Sequence, residues 1–194
     1  MSETRENRRS EILKAACTEF SENGYDSTKM EQIAKRVGIG KSTIYEYFPS
    51  KNELLKASCE WIFGTILCDV DNIMQKDICF KDKVINYIKH ACDILSSIGS
   101  GMMILYGKSD SVQIIRSNAG MFHMKLLDII EKAVFKAVQN GEIRENINPR
   151  NIAKIITFLP SPILCEEIKN NGDAALDDII SILIYGLAKQ IFDK

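Results

Sequence analysis

The sequence predicts an all-α fold, and three observations carry that expectation. Apolar residues recur at the three- and four-residue spacing of one-faced helices along nearly the whole chain. No stretch shows the two-residue alternation of a half-buried strand, and there is no internal repeat or low-complexity tract. Proline is scarce, at four residues in 194, so few positions forbid a helix outright.

The elements follow in order. From about Arg8, the apolar positions Ile12, Leu13, Ala16, Cys17 and Phe20 make one stripe of an amphipathic helix. Its end is written in Asn23 and Gly24: glycine can take the left-handed conformation that closes a helix, and Tyr25 is then placed to fold back on Phe20. Thr28, with Glu31 three residues later, reads as a capping box opening a short helix from Lys29 to about Arg36, with Met30, Ile33, Ala34 and Val37 inward. Gly38 and Ile39 break it. A second short helix runs from Gly40 or Lys41 to Phe48, because Pro49 removes a donor and disfavours helical geometry in the residue before it. Ser50 with Glu53 is a second capping box, opening a long helix that carries Leu54, Leu55, Ala57, Trp61 and Ile62 past Asp69. Beyond it the chain reads as helical, with breaks expected at residues 76–80, 97–101, 141–148 and 170–173. Asn148 and Pro149 read as a cap and a first-turn proline, whereas Pro160 and Pro162 must kink or interrupt the helix they fall in. The last segment, 174–192, is apolar on Leu176, Ile179, Ile180, Leu183, Ile184, Leu187 and Ile191.

Composition narrows the function classes. With 45% hydrophobic and 26% charged residues the chain falls in the soluble globular range. Apolar runs such as Met102 to Tyr106 are far shorter than the roughly 18–20 residues that span a bilayer. The charged start lacks the apolar segment of a secretory signal, so a cytoplasmic protein with no membrane partner is expected. The six cysteines are irregularly spaced, and the expectation is reduced, mostly buried small hydrophobes, with a redox sensor as the alternative. His90 and Cys92 point to different sides of a helix, so neither a metal site nor any other cofactor is expected. No nucleophile–base pair or glycine-rich phosphate loop is legible, which argues against an enzyme. Net charge is −1, yet residues 28–56 hold six cations (Lys29, Lys35, Arg36, Lys41, Lys51 and Lys56) against Glu31, Glu46 and Glu53. A basic patch on an otherwise acidic chain is the footprint of a protein that meets a polyanion at one end, although an ordinary solvated face would look the same.

Two short helices joined by a tight glycine turn form a helix-turn-helix signature. Ala34 is small enough for the crossing, Gly38 supplies the turn, and Ile33, Val37, Ile39, Ile44 and Tyr47 supply the apolar contacts. The run ILKAACTEFSENGYDSTKMEQIAKRVGIGKSTIYEYFPSKNELLKA, Ile12 to Ala57, resembles the DNA-binding region of TetR-family regulators over three helices and the cap of the fourth. The resemblance implies an all-α homodimer whose C-terminal domain binds a small effector and alters the spacing of two DNA-reading heads. The expected organisation is a DNA-binding domain at 6–66, with its helix-turn-helix at about 29–48, and an effector-binding and dimerisation domain at 67–194.

On that reading Lys41 donates to guanine or phosphate, Ser42 and Thr43 meet base edges or a thymine methyl, and the Tyr45 and Tyr47 hydroxyls reach phosphates, as tyrosines at these positions do in the family. Thr28 and Lys51 are placed for further phosphates. Lys29 stands where the family often has a second threonine, and Gly40 where serine is common. Glu46 is unusual near a polyanion, and either accepts from a cytosine amino group or points away. The effector pocket is expected from Trp61, Met102, Met103, Tyr106, Phe122 and Phe158, with Phe63 and Met124 as further candidates, taking a small hydrophobic or amphipathic molecule. The apolar stripes Ile152–Ile168 and Leu176–Ile191 are assigned to a dimer interface through the last two helices. The function implied is a repressor released from a palindromic double-stranded operator by its effector. The alternative is a helical adaptor that uses the same fold on a protein partner.

Overall fold

The computed structural model describes residues 2–98 and 110–187, and every regular element among them is an α-helix. In chain order these are α1 (Ser2–Asn23), α2 (Met30–Val37), α3 (Lys41–Tyr47), α4 (Lys51–Gln75), α5 (Phe80–Ile98), α6 (Asp110–Gln139), α7 (Pro149–Phe158), α8 (Pro162–Asn171) and α9 (Asp173–Leu187). No helix among the described residues is long and apolar enough to cross a membrane. The chain divides into two compact units: the described parts of Met1–Ile66 with Ile98–Phe122, and those of Leu67–Ser97 with His123–Lys194.

In the first unit the apolar stripe of α1 is buried as its spacing requires, with Ile12, Leu13, Ala16 and Phe20 meeting Met30, Ile33 and Ala34 of α2. Ile44 and Phe48 enter the same core from α3, and Leu54, Leu55 and Cys59 from α4. Helix α1 closes at Gly24, whose N–H donates to the Phe20 carbonyl at 3.1 Å, and the Tyr25 ring folds back to 5.5 Å from that of Phe20. Helix α2 ends in a Schellman motif: Ile39 N–H donates to Ala34 and Gly38 N–H to Lys35, at 3.0 and 3.2 Å.

The start of α2 corrects the sequence reading by one residue. Lys29, not Thr28, is the cap residue, and its N–H donates to the Gln32 side chain at 2.7 Å. An ammonium has no lone pair with which to accept, so half of a capping box forms. Thr28 is unavailable because its hydroxyl is buried against the carbonyls of Glu19 and Gly24, at 3.1 and 2.7 Å, where it ties down the end of α1. The second box is seen at its Ser50 half, whose hydroxyl accepts from Glu53 N–H at 3.1 Å.

In the second unit, Val84 and Ile88 of α5, Ile130 and Val134 of α6, Ile152 and Ile156 of α7, and Leu176 and Ile180 of α9 are buried. Asn148 accepts from Arg150 N–H at 2.9 Å with Pro149 in the first turn, as expected. The two later prolines interrupt the chain rather than kink it: α7 stops at Phe158 and α8 restarts at Pro162 on a Ser161 cap. The break expected at 170–173 shrinks to Gly172, and the one expected at 97–101 lies mostly outside the described residues. Cysteine usage departs from expectation. Cys92 of α5 and Cys165 of α8 are joined in a disulfide, and Cys68 and Cys79 are exposed. The partners lie 73 residues apart, a pairing that no local spacing encodes. Cys17 and Cys59 fit the original picture: burial pushes their thiols up to about 11 and about 12, so neither is a thiolate at neutral pH.

Gly38 has φ +74°, and a methyl built on it would meet nothing within 4 Å. Gly38→Ala is therefore expected to destabilise the first unit by about 1–2 kcal/mol through backbone conformation alone. Urea unfolding with an unchanged midpoint would show that the turn carries no such constraint.

Candidate nucleic-acid interface

Seven residues of helix give α3 a length of about 10 Å, too short to persist without its neighbours. Its conformation is held instead by side chains. Ile44 is fully buried and Phe48 nearly so, while Tyr47 and Thr43 are half-buried. Lys41, Ser42, Tyr45 and Glu46 are exposed, and at spacings of three and four residues they occupy one continuous outward surface. Gly40 is the N-cap with extended φ and ψ and supplies no side-chain acceptor, so the first N–H groups of α3 keep their donors directed outward.

The charges around this surface are arranged in pairs. Lys41 Nζ lies 2.6 Å from Glu31 of α2, which holds that carboxyl below the usual carboxylate range and raises the lysine. Arg36 lies 2.7 Å from both Glu19 and Glu22 of α1, so its charge is committed within the unit. Lys51 turns inward too. Its ammonium donates to the carbonyls of Tyr25, Asp26 and Thr28 at 2.8, 3.3 and 3.0 Å and lies 4.2 Å from the centre of the Tyr25 ring. All three of its protons have acceptors in the α1–α2 connection, and the Tyr25 hydroxyl donates to Asn52 on the same corner. Lys51 is thus built in as a clamp on that turn rather than as an outward cation, and the Thr28 hydroxyl is likewise inward. Lys29 is exposed at the α2 cap.

Two cations were missed by the sequence reading. Arg5 and Arg9 of α1 lie over the rings of Tyr47 and Phe48, at 5.8 and 5.2 Å from their centroids, which places guanidinium groups beside the end of α3. The run Arg5, Arg8, Arg9 was the available signal.

The expected pocket residues that are described fall in both units. Trp61 is half-buried against the first unit's core, and Phe122 stacks on Phe63 in that unit with ring centroids 4.8 Å apart. Phe158 belongs to the second unit, 68% exposed, with its ring beside His123. Met124 is exposed, and Met102, Met103 and Tyr106 lie outside the described residues.

Comparison with known proteins agrees with the geometry. The family model for bacterial regulatory proteins of the tetR family matches residues 12–58, the segment from α1 into α4. An uncharacterised HTH-type transcriptional regulator of Bacillus subtilis, YvdT, is 30% identical over 156 residues, covering 76% of each chain. The fatty acid metabolism regulator protein of the same organism is 24% identical over 182 residues, 91% of this chain and 94% of that one. Among solved structures, the transcriptional regulator FadR from Bacillus subtilis in complex with stearoyl-CoA superposes with a TM-score of 0.63 at 21% identity, covering 94% of this chain and 98% of that one. A short helix with its apolar side buried and its polar side presented, on a matching sequence and across the length of such relatives, makes this chain a member of the TetR family, a DNA-binding transcriptional regulator.

Proposed function

We propose that the protein is a homodimeric repressor that leaves a palindromic operator when a small hydrophobic or amphipathic effector binds. The observation that carries the reading is the two-sided α3: Ile44 and Phe48 anchor it, and Lys41, Ser42, Tyr45 and Glu46 are left to meet a major groove. Residues 6–66 form the DNA-reading part on this view, with the helix-turn-helix at about 29–48, and 67–194 the effector and dimerisation part. Direct contacts come from Lys41, Ser42, Thr43, Tyr45 and Tyr47, with Lys29 and the Gly40 N–H on phosphate. Thr28 and Lys51 contribute by fixing the turn behind them.

Exposed apolar side chains support self-association. Ile155, Phe158, Ile163 and Ile182 are 52%, 68%, 79% and 76% exposed, on α7, α8 and α9. Aliphatic and aromatic groups at such exposure on successive helices are what a partner subunit covers. The acyl-CoA complex of the FadR relative suggests a long-chain acyl thioester as the first effector to try. Regulation then needs a differential affinity of a few kcal/mol between two conformers, and no chemistry on the ligand.

Lys41→Ala and Tyr45→Ala are each expected to weaken binding to duplexes selected from genomic DNA by about 5- to 150-fold, equivalent to about 1–3 kcal/mol, with melting temperature unchanged. Lys41→Ala should also flatten the salt dependence by about one phosphate's worth. Lys51→Ala should instead lower the melting temperature, since three carbonyls lose their donor. Wild-type binding to both variants' degree of weakness, with no preference over random competitor, would replace the repressor with a protein-binding adaptor.

Phe158→Glu combined with Ile163→Glu is expected to give a monomer in sedimentation experiments, and a dimer that survives would move the interface elsewhere. Stearoyl-CoA is expected to shift the emission of Trp61 and to release the DNA. Release without any change in emission would remove Trp61 from the effector site.

A further inference from the structure

Two prolines divide the chain after Asn148 into α7 and α8, and α5 holds it on both sides of the division. Before the break, the buried Tyr87 hydroxyl donates to the Thr157 carbonyl at 3.3 Å. After it, Cys92 is bonded to Cys165, with the Cα atoms 5.0 Å apart. The two tethers hold elements of unequal strength. Helix α7 buries Ile152, Ala153, Ile156 and Thr157, whereas the buried side chains of α8 are Leu164 and Cys165. The sulfur link therefore adds a covalent tether to a helix that buries only two side chains of its own.

We propose that Cys92 and Cys165 are a reversible redox modification site, oxidised by a hydroperoxide and reduced by a dithiol, through which DNA binding by this regulator responds to redox state. The proposal rests on the DNA-binding reading. A protein that works on DNA operates where cellular thiols are kept reduced, and disulfides there are transient and sensing rather than permanent staples. Cys92 and Cys165 are both buried, so nothing separates their roles, and Cys165 is taken as the first to attack. Its sulfur attacks the hydroperoxide; the O–O bond breaks, the alkoxide leaves with the thiol proton as an alcohol, and Cys165 becomes a sulfenic acid. The Cys92 sulfur then attacks that sulfur; the S–O bond breaks, and hydroxide leaves with the Cys92 proton as water. Two thiols lose two electrons and one hydroperoxide gains them. A dithiol reverses the step through a mixed disulfide and departs as its own cyclic disulfide.

The test uses the full-length protein, reduced with dithiothreitol and then treated with one equivalent of hydrogen peroxide. Alkylation should count six thiols before and four after, peptide mapping should join residues 92 and 165, and dithiothreitol should restore all six. Duplexes selected from a genomic pool by either form are then titrated with both. A Kd that differs at least about fivefold between the forms, and not in Cys92→Ser or Cys165→Ser, is the expected result. The comparison within the wild type stands even if a serine variant fails to fold. Failure of the 92–165 link to form, or equal tight binding by both forms, overturns the switch and leaves the DNA reading intact. A link that forms and reverses while neither form retains any duplex overturns both.

Discussion

Burial of Ile44 and Phe48 from a seven-residue helix is the constraint on which the DNA-reading half depends. So short a helix gains too few hydrogen bonds to offset the cost of nucleation, and its orientation is set wholly by what its apolar side packs on. That surface is made by α1, α2 and α4 together, through Ile12, Ile33 and Leu54, none of which could meet water at the groove. The Schellman turn at Gly38 fixes the direction in which the chain leaves α2, and the Lys51 ammonium fixes the connection behind it. Presentation of Lys41, Ser42 and Tyr45 is consequently a property of the three-helix core and not of α3. A core substitution and a surface substitution would silence the protein by different routes, and melting behaviour separates them.

Charge is spent more sparingly than composition suggests. Of the six cations between residues 28 and 56, Arg36 and Lys51 serve the fold, and Lys41 rests on Glu31. The Lys41–Glu31 pair is exposed on both sides, and such pairs contribute little in water, so a phosphate or a guanine edge can replace the carboxylate at small cost. The contribution of Arg5 and Arg9 beside α3 partly restores the positive field that the inward cations remove.

What could be read from the sequence was what is decided locally. The Gly24 stop with Tyr25 folded on Phe20, the Asn148–Pro149 start and the buried sides of α1 to α4 depend on residues within a turn or two of each other, and they were legible. Thr28 was misread because its hydroxyl had two local uses, capping α2 or bonding back to α1, and tertiary packing selected the second. Lys51 is ambiguous in sequence for a related reason: a lysine near a phosphate site and a lysine over three carbonyls look alike. For the pocket residues, type alone does not separate a half-buried Trp61 from an exposed Phe158.

Pro160 and Pro162 show how a sequence can create an element without giving it a strong hold. Each lacks an N–H, so carbonyls at the end of α7 lose their helical donors. Leu159 N–H bends back to Ile156 and the Tyr87 hydroxyl takes Thr157, so these two carbonyls find partners outside α8. Helix α8 starts afresh on Ser161, packs on α9, and buries two side chains. It is tied to α5 through Cys165, while α7 keeps its own buried isoleucines. Its neighbours α7 and α9 carry the exposed Phe158 and Ile182, and its own first turn carries Ile163, so α8 lies among the exposed apolar side chains of this unit. The proline break matters because it separates the hydrogen bonds that close α7 from those that start α8, so neither helix has to break for the other to be held differently.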